Sequence, residues 1–328
     1  MGFVQISTRE KIIELLTEAG DGFVSGETLA KKLNCSRAAV WKHMEELRKE
    51  GFELEAVRKK GYRIKGTGDK VTENEIRYGL GTKRLGRNIH YRETIDSTQR
   101  LAHQLVQEGC PDGTLVIAEQ QTGGRGRLRR SWYSPKYTGI WMSIVLRPDL
   151  PPQMAPPFTL IAAVAVAQAI EETAGIVPEI KWPNDLLIGG KKCAGILTEL
   201  EADTDRIQAV ITGIGINVNE TDFPAPLKSI ATSLSLASGK KVKRALLIQR
   251  ILEKLEKYEE IYLQNGFAPL KILWESYANV AGKKITAHTL KGDISGRAIG
   301  ITDDGVLQLE GEDGQMHAIY SADIEIES

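Results

Sequence analysis

One segment constrains the fold more than any other. "FTLIAAVAVAQAI", Phe158 to Ile170, is apolar on nearly every side. A helix without a polar face must be covered all round, because exposed apolar surface forfeits about 25 cal/mol per Å² of burial free energy. The run is shorter than the roughly 18 continuous apolar residues that a membrane span needs. It therefore predicts a helix over Pro156–Ala174 buried in a large core. With 328 residues the chain can build such a core and has room for two or three domains.

Strands and helices alternate around this segment. "NIHYRETI", "TLVIAEQ" and "GIWMSIVLRP" read as strands, with "STQRLAHQLVQEG" a helix between the first two. "KKCAGILTELEAD" and "RIQAVITGIGINVN" read as paired strands after the buried helix. The expectation is an α+β chain whose middle is a large mixed α/β sheet. A helix-rich stretch, Arg244–Val280, follows. The last 45 or so residues are short β-type runs punctuated by "KGD", "DDG" and "EDG", which predicts a small all-β module.

The first 65 residues have a different rhythm. "TREKIIELLTEAG" has helical spacing, with Thr8 as candidate cap and Gly20 as stop. "SGETLAKKL" is a second helix, and a tight turn at Asn34-Cys35 leads to "SRAAVWKHMEELRKEG", with Ser36 as cap and Gly51 as stop. "FELEAV" and "GYRIK" then flank the basic turn "RKKG". This is the order of a winged helix-turn-helix. The third helix places Ser36, Arg37, Lys42 and His43 on its exposed side, with Ala39, Val40, Met44 and Leu47 toward the core. Residues 31–65 hold 11 basic and 5 acidic side chains in a chain of zero net charge, so Lys59 and Lys60 of the wing belong to a local basic face. The bland alternative is a docking module with a solvated face. "GTGDKVTENE", Gly66 to Glu75, reads as a linker. The expected division is 1–65, 66–275 and 276–328.

Charge and cysteine usage limit the functional classes. Neutrality argues against a protein that coats nucleic acid along its length. Cys35, Cys110 and Cys193 form neither a disulfide framework nor a zinc pattern, which fits a reducing cytoplasm. The amino-terminal sequence carries no signal-peptide pattern, and no membrane partner is expected.

Against that neutral background, "GGRGRLRR" packs four arginines and three glycines into Gly123–Arg130. Three other stretches give this loop context. "ETIDSTQRLAHQL" sets Asp96-Ser97-Thr98 at a strand-to-helix turn, where free N–H groups and hydroxyls can hold a polar ligand. "KWPNDLLIGGKKCAGILTEL" puts Lys181 before Pro183, with Asn184-Asp185 in a turn beyond. "GIGINVN" ends a strand at Asn217 and Asn219. Singly, these read as a surface lysine, a turn and tight packing.

Together, "DSTQ", "AEQQTGGRGRLRRSWYSP", "KWPNDLL", "KKCAGILTE" and "GIGINVN" resemble the biotin–protein ligase family, and with the amino-terminal module the chain is similar to the bacterial bifunctional ligase/repressors. The resemblance covers the chain from end to end. It implies a class II synthetase-like central domain and a carboxy-terminal SH3-like β-barrel. The implied activity is ATP-dependent formation of biotinyl-5'-AMP, with Mg2+, and transfer of biotin to a lysine of the biotin carboxyl carrier protein of acetyl-CoA carboxylase. The adenylate-loaded form is then a homodimer that binds operator DNA and represses biotin synthesis genes.

By the family pattern Arg125, Gly126 and Arg127 line the biotin and adenylate phosphate region, and Arg125, Arg127 and Lys181 carry the catalysis. Arginine suits phosphate because its planar fork donates parallel charge-assisted hydrogen bonds. Ser97, Thr98, Gln99 and Gln121 match the biotin-contacting positions, and a ureido group needs this mixture of hydroxyl and amide partners. The chain departs from the pattern at Gln99, where the family often has asparagine. Gly124, Trp132 and Asn217 fall on the adenylate side, and Asp185 is the carboxylate best placed for magnesium. Arg129 and Arg130 are left to loop ordering or a wet surface. The alternatives are a non-catalytic biotin sensor, which needs no phosphate-binding arginines, and a lipoate-type ligase of similar architecture. An RNA-binding arginine tract is excluded by context, since "GRGRLRR" occurs once and is framed by strands.

Overall fold

The computed structural model describes residues 8–326 apart from Asp21, Gly68, Asn279, Leu290 and Lys291. Gly68 of the expected linker and Lys291 of the "KGD" turn thus lie outside the described residues. The chain divides into two compact units, Met1–Leu80 and Gly81–Ser328.

The first unit runs α1 (Thr8–Glu18), α2 (Gly26–Lys32), α3 (Arg37–Glu50), β1 (Phe52–Val57), β2 (Gly61–Thr67) and α4 (Glu73–Arg77). Ser25 and Ser36 cap α2 and α3 by accepting from Thr28 N at 3.0 Å and Ala39 N at 3.1 Å. Gly51 ends α3 at φ 114°. Ile12, Leu16, Leu29, Val40, Met44 and Leu47 meet in one apolar core, with Phe52 from β1. The wing needs its glycine: Gly61 has φ +114°, and a Cβ there would sit 2.1 Å from Val24 O. The expected linker is only partly irregular. Thr72 Oγ1 accepts from Glu75 N at 3.4 Å and caps α4, a capping-box signal present in "TENE". This helix, assigned to the catalytic domain from sequence, lies in the first unit.

The second unit contains β3 (Ile89–Arg92), α5 (Thr98–Gln107), β4 (Leu115–Ala118), β5 (Gly139–Leu146), α6 (Pro157–Ala174), β6 (Glu179–Lys181), β7 (Asp185–Ile188), β8 (Lys191–Ala202) and β9 (Ile207–Asn217). There follow α7 (Leu234–Ser238), α8 (Arg244–Asn265) and α9 (Ala268–Tyr277). The seven strands form one sheet in the order β3-β4-β5-β9-β8-β7-β6. Only β3 and β4 pair in parallel. Every residue of β5 is buried, because helices cover both sheet faces. On one side Ala102, Leu105 and Val106 of α5 pack on Val116, Val145, Ala209 and Ile211. On the other lies α6, the apolar helix read from sequence, with α8 and α9 packed against it. Its Leu160 through Ala167 are at most 2% exposed, so it is a core helix.

The unit ends in β10 (Lys284–Thr289), β11 (Gly292–Ile301), β12 (Leu307–Glu310), β13 (Met316–Ile319) and β14 (Asp323–Ile326), an antiparallel sheet ordered β13-β12-β11-β10-β14. Trp182, between β6 and β7, donates from Nε1 to Gly305 O at 3.3 Å and ties this sheet to the larger one.

Candidate active site and nucleic-acid face

Strand register builds the site. Lys181 on β6 pairs with Asp185 on β7, Asp185 with Gly195 on β8, and Gly195 with Gly215 on β9. Two residues along, Ser143 on β5 pairs with Gly213, and two further Val145 pairs with Ile211 under α5. Side chains two apart on a strand share a face, so this row opens on the side of the sheet that α5 covers. Asp185, expected in a turn, is instead the first residue of β7, because "WPN" alone closes the β6–β7 hairpin.

The glycines make the floor. A Cβ on Gly213 would lie 2.7 Å from Gln99 Oε1, and one on Gly215 2.5 Å from Trp132 Nε1. Over this floor is a cavity of about 500 Å³. Ser97, Thr98, Gln99, Gln121, Arg125, Gly126, Arg127, Trp132, Lys181, Asp185 and Asn217 all line it. Gly124 does not. It is buried behind the loop, where a Cβ would meet Ser134 Oγ at 2.8 Å and Gln121 Nε2 at 2.9 Å.

One end of the cavity is a polar relay. Gln121 Oε1 accepts from Thr98 N at 2.8 Å and from Thr98 Oγ1 at 3.1 Å, and Gln121 Nε2 donates to Ser134 Oγ at 3.1 Å. Ser143 Oγ lies 2.9 Å from Thr98 Oγ1 and donates to Gln99 Oε1 at 2.9 Å. The Gln99 amide is fixed by donating to Ile211 O at 3.0 Å. With both hydroxyl hydrogens donated to amide oxygens, lone pairs of Thr98 Oγ1 and Ser143 Oγ face each other and can receive a ligand N–H. Gln99 meets its neighbours through β5 and β9, and Ser143 is the partner that sequence reading missed.

The other end is cationic. Arg125, Arg127, Arg130, Lys181 and Lys192 line the cavity against two acids, Asp185 and Asp323. Lys192 Nζ lies 2.6 Å from Asp185 Oδ1 and 5.1 Å from the Trp132 ring centroid. Asp185, expected as a magnesium ligand, is therefore neutralised by a lysine, and no cluster of three metal-ligating side chains forms among the described residues. The arginine loop is strapped down. Arg127 donates to Ser321 Oγ at 2.9 Å, Ala322 O at 3.1 Å and Asn184 Oδ1 at 3.2 Å, and Arg130 lies 2.6 Å from Asp323. Between them Leu128 and Arg129 take φ of +53° and +59°, a region L-residues rarely occupy. Lys181 has no hydrogen bond or ion pair with any described side chain, and its charge faces the cavity unmatched. Asn217 donates to Thr232 O at 3.1 Å. Lys192 was within reach of sequence reading, in "KKCAGILTE". Asp323, nearly two hundred residues from the loop it holds, carried no local signal.

Cys193 is buried beneath β7, and burial pushes its thiol up to about 12, far from a nucleophilic thiolate.

In the first unit, Ser36, Arg37, Lys42, Lys59 and Lys60 are exposed. His43, expected beside them, is half-buried and turns Nδ1 to within 3.6 Å of Glu46. The wing is braced by Phe23, whose ring lies 4.8 Å from the Arg63 guanidinium and 6.0 Å from Lys60 Nζ.

Known proteins match this arrangement along the chain. The Biotin/lipoate A/B protein ligase family matches residues 91–217. A helix-turn-helix family matches 8–63, and the Biotin protein ligase C terminal domain matches 280–326. "Bifunctional ligase/repressor BirA" of Bacillus spizizenii is 55% identical over 320 residues, covering 97% of this chain and 98% of that protein. The Escherichia coli protein of the same name is 29% identical, covering 97% of both. Among solved structures, biotin protein ligase from Aquifex aeolicus in complex with biotin and ATP is 30% identical with a TM-score of 0.64, covering 74% of this chain and 99% of that one.

Proposed function

Because the chain belongs to the family of bifunctional biotin–protein ligase/repressors, we propose that the cationic cavity on the second unit is where biotin and ATP are joined. The chain is an ATP-dependent biotin–protein ligase that forms biotinyl-5'-AMP and passes biotin to a lysine of an acetyl-CoA carboxylase protein, and a DNA-binding repressor of biotin synthesis genes. The observation that carries the site assignment is the pairing of a hydroxyl–amide relay with an excess of cations in one cavity. Biotin's ureido ring belongs at the Thr98–Gln121 end, and its carboxylate points toward Lys181.

In the first step the carboxylate oxygen attacks the α-phosphorus of ATP and pyrophosphate leaves. Two anions must approach, so Lys181 and Arg125, neither of which has a hydrogen bond or ion pair with a described side chain, supply the charge that offsets their repulsion. Oriented reactants and preorganised charge do most of this work. In the second step the carrier lysine's amine attacks the acyl carbon and AMP leaves. No enzyme nucleophile is needed, in keeping with the buried Cys193. Magnesium would be held chiefly by the triphosphate oxygens, with Asp185 of the cavity as the protein carboxylate that would join them, and would offset the phosphate charge.

Arg127 leaves Ser321 and Ala322 for the phosphate when the adenylate forms, and Trp132 flanks the nucleotide. The loop rearranges with it, and with "NETDFPAPLKSIATSL" completes a homodimer surface. The ligand is then the corepressor because it binds the dimer-competent state better. The protein acts in the cytoplasm on the biotin carboxyl carrier protein and on operator DNA through Arg37, Lys42, Lys59 and Lys60. Incubation with biotin, α-labelled ATP and a carrier domain tests the ligase: absence of both labelled adenylate and labelled carrier defeats it.

A further inference from the structure

The third helix presents two opposed faces. Val40, Met44 and Leu47 are at most 1% exposed and anchor α3 to its unit. Arg37, Ala38, Trp41 and Lys42 lie on the other side, all exposed, at the i, i+1, i+4 and i+5 spacing that makes one patch. In this patch Trp41 is 58% exposed. Its indole makes no hydrogen bond, ring contact or cation–π contact with any described side chain. A large aromatic more than half exposed between two cations contributes little to the core of its own unit. It is a surface waiting for a partner with both negative charge and an apolar spot.

We infer that Trp41 is a specificity-determining residue of the repressor's DNA interface, its indole packing in the major groove against the 5-methyl group of a thymine. The inference rests on the repressor reading and deepens it. Charge selects the occupant. Arg37 and Lys42 flank the indole, while the nearest acids are already engaged: Glu45 with Arg48 and Glu46 with Arg9 and His43. A second copy of this face would meet it with like charge, whereas a duplex brings phosphates to both flanks. Base-edge chemistry selects the contact. Of the groups displayed in the major groove only the thymine methyl is apolar, and residues in the first turns of a recognition helix are those that reach base edges. Trp41 sits one turn beyond Arg37, close enough to the capped end of α3 to do so.

The test uses the full chain with biotin and ATP. Duplexes are enriched from a random-sequence pool by the wild-type protein, and each thymine of the enriched consensus is then replaced by uracil, which removes one methyl group and changes nothing else. The wild type is expected to lose roughly three- to fivefold in affinity at one thymine per half-site, the worth of burying one methyl. Trp41→Ala is expected to bind the consensus about tenfold more weakly, to show no thymine-over-uracil preference there, and to keep wild-type affinity for random duplex. Trp41→Phe should retain part of the preference. Ligation should be unchanged in both variants, since the ligase cavity lies in the other unit, and the retained affinity for random duplex controls for folding of the unit that carries Trp41. The inference is overturned if Trp41→Ala binds the consensus as the wild type does, weakens consensus and random duplex alike, or if no uracil substitution affects the wild type. If the wild type enriches no sequence while still ligating biotin, the repressor reading itself fails, and the inference with it.

Discussion

Arg244 and Glu119 show how single residues set this structure. Both are fully buried, 2.7 Å apart, and Arg244 also donates to Gly139 O at 3.1 Å, at the strand end beside the site. Removing one partner strands a charge where water cannot reach it. Arg244→Met is expected to destabilise the second unit by about 3–5 kcal/mol, read as a large drop in melting temperature. Exchanging both partners for apolar residues should cost less than the single change, and an equal or larger loss would refute the stranded-charge account. Lys181→Met should lower biotin-dependent ATP–pyrophosphate exchange by about 10²–10³-fold with little change in melting temperature. Arginine should not restore it, because a fork cannot replace a point charge in a fixed row of the sheet. Lys181 was legible in sequence because "KWPND" surrounds it. Arg244 was not, because an arginine opening an amphipathic helix is ordinarily solvated, and only the fold reveals that it points inward.

At the level of elements, the motif-bearing strands and α5 were legible from their periodicity, whereas α4 and the β6–β7 hairpin were too short to show one. The contacts between elements were not legible at all. His103 on α5 is clasped between two carboxylates of β8, with Nδ1 2.6 Å from Glu201 and Nε2 2.9 Å from Glu199, and Gln107 also donates to Glu201. Burial alone would lower its pKa, but the two carboxylates prevail and raise it above the usual histidine value. A raised folded-state pKa contributes stability that is fully present below the unfolded value, near 6.5, and is lost as pH rises through the folded one. Melting temperatures of the wild type and His103→Gln should therefore converge as the pH is raised from 5.5 to 8.5; a constant gap would rule out the ionic contribution. The strap from β14 to the arginine loop makes a second prediction. Asp323→Asn should speed tryptic cleavage at Arg129 several-fold in the unliganded protein, and biotin with ATP should abolish the difference. Equal cleavage rates without ligand would show that Asp323 does not hold the loop.

Across the whole molecule the helix-turn-helix match falls in the first unit and both biotin protein ligase matches fall in the second, whereas the sequence reading drew three divisions, 1–65, 66–275 and 276–328. Arg37→Ala should weaken operator binding about tenfold while leaving ligation near normal; a loss of both would point to misfolding instead. Coupling between the units is expected to run through dimerisation. Sedimentation with and without biotin plus ATP checks this, and equal dimer content in both would refute it. No motif encodes that step, since in the proposed coupling it would depend on how a loop rearranges around a ligand.

The glycine floor has one more consequence. From Gly213 a line of touching groups runs through Gln99, Ser143, Thr98 and Gln121 to Ser134, with no slack between members. Such a line behaves as a gauge: an error at one end is passed to the other rather than absorbed. Adding one methyl group at position 213 should therefore shift the Thr98–Gln121 end of the cavity some distance away, and the missing side chain is what keeps the ruler true.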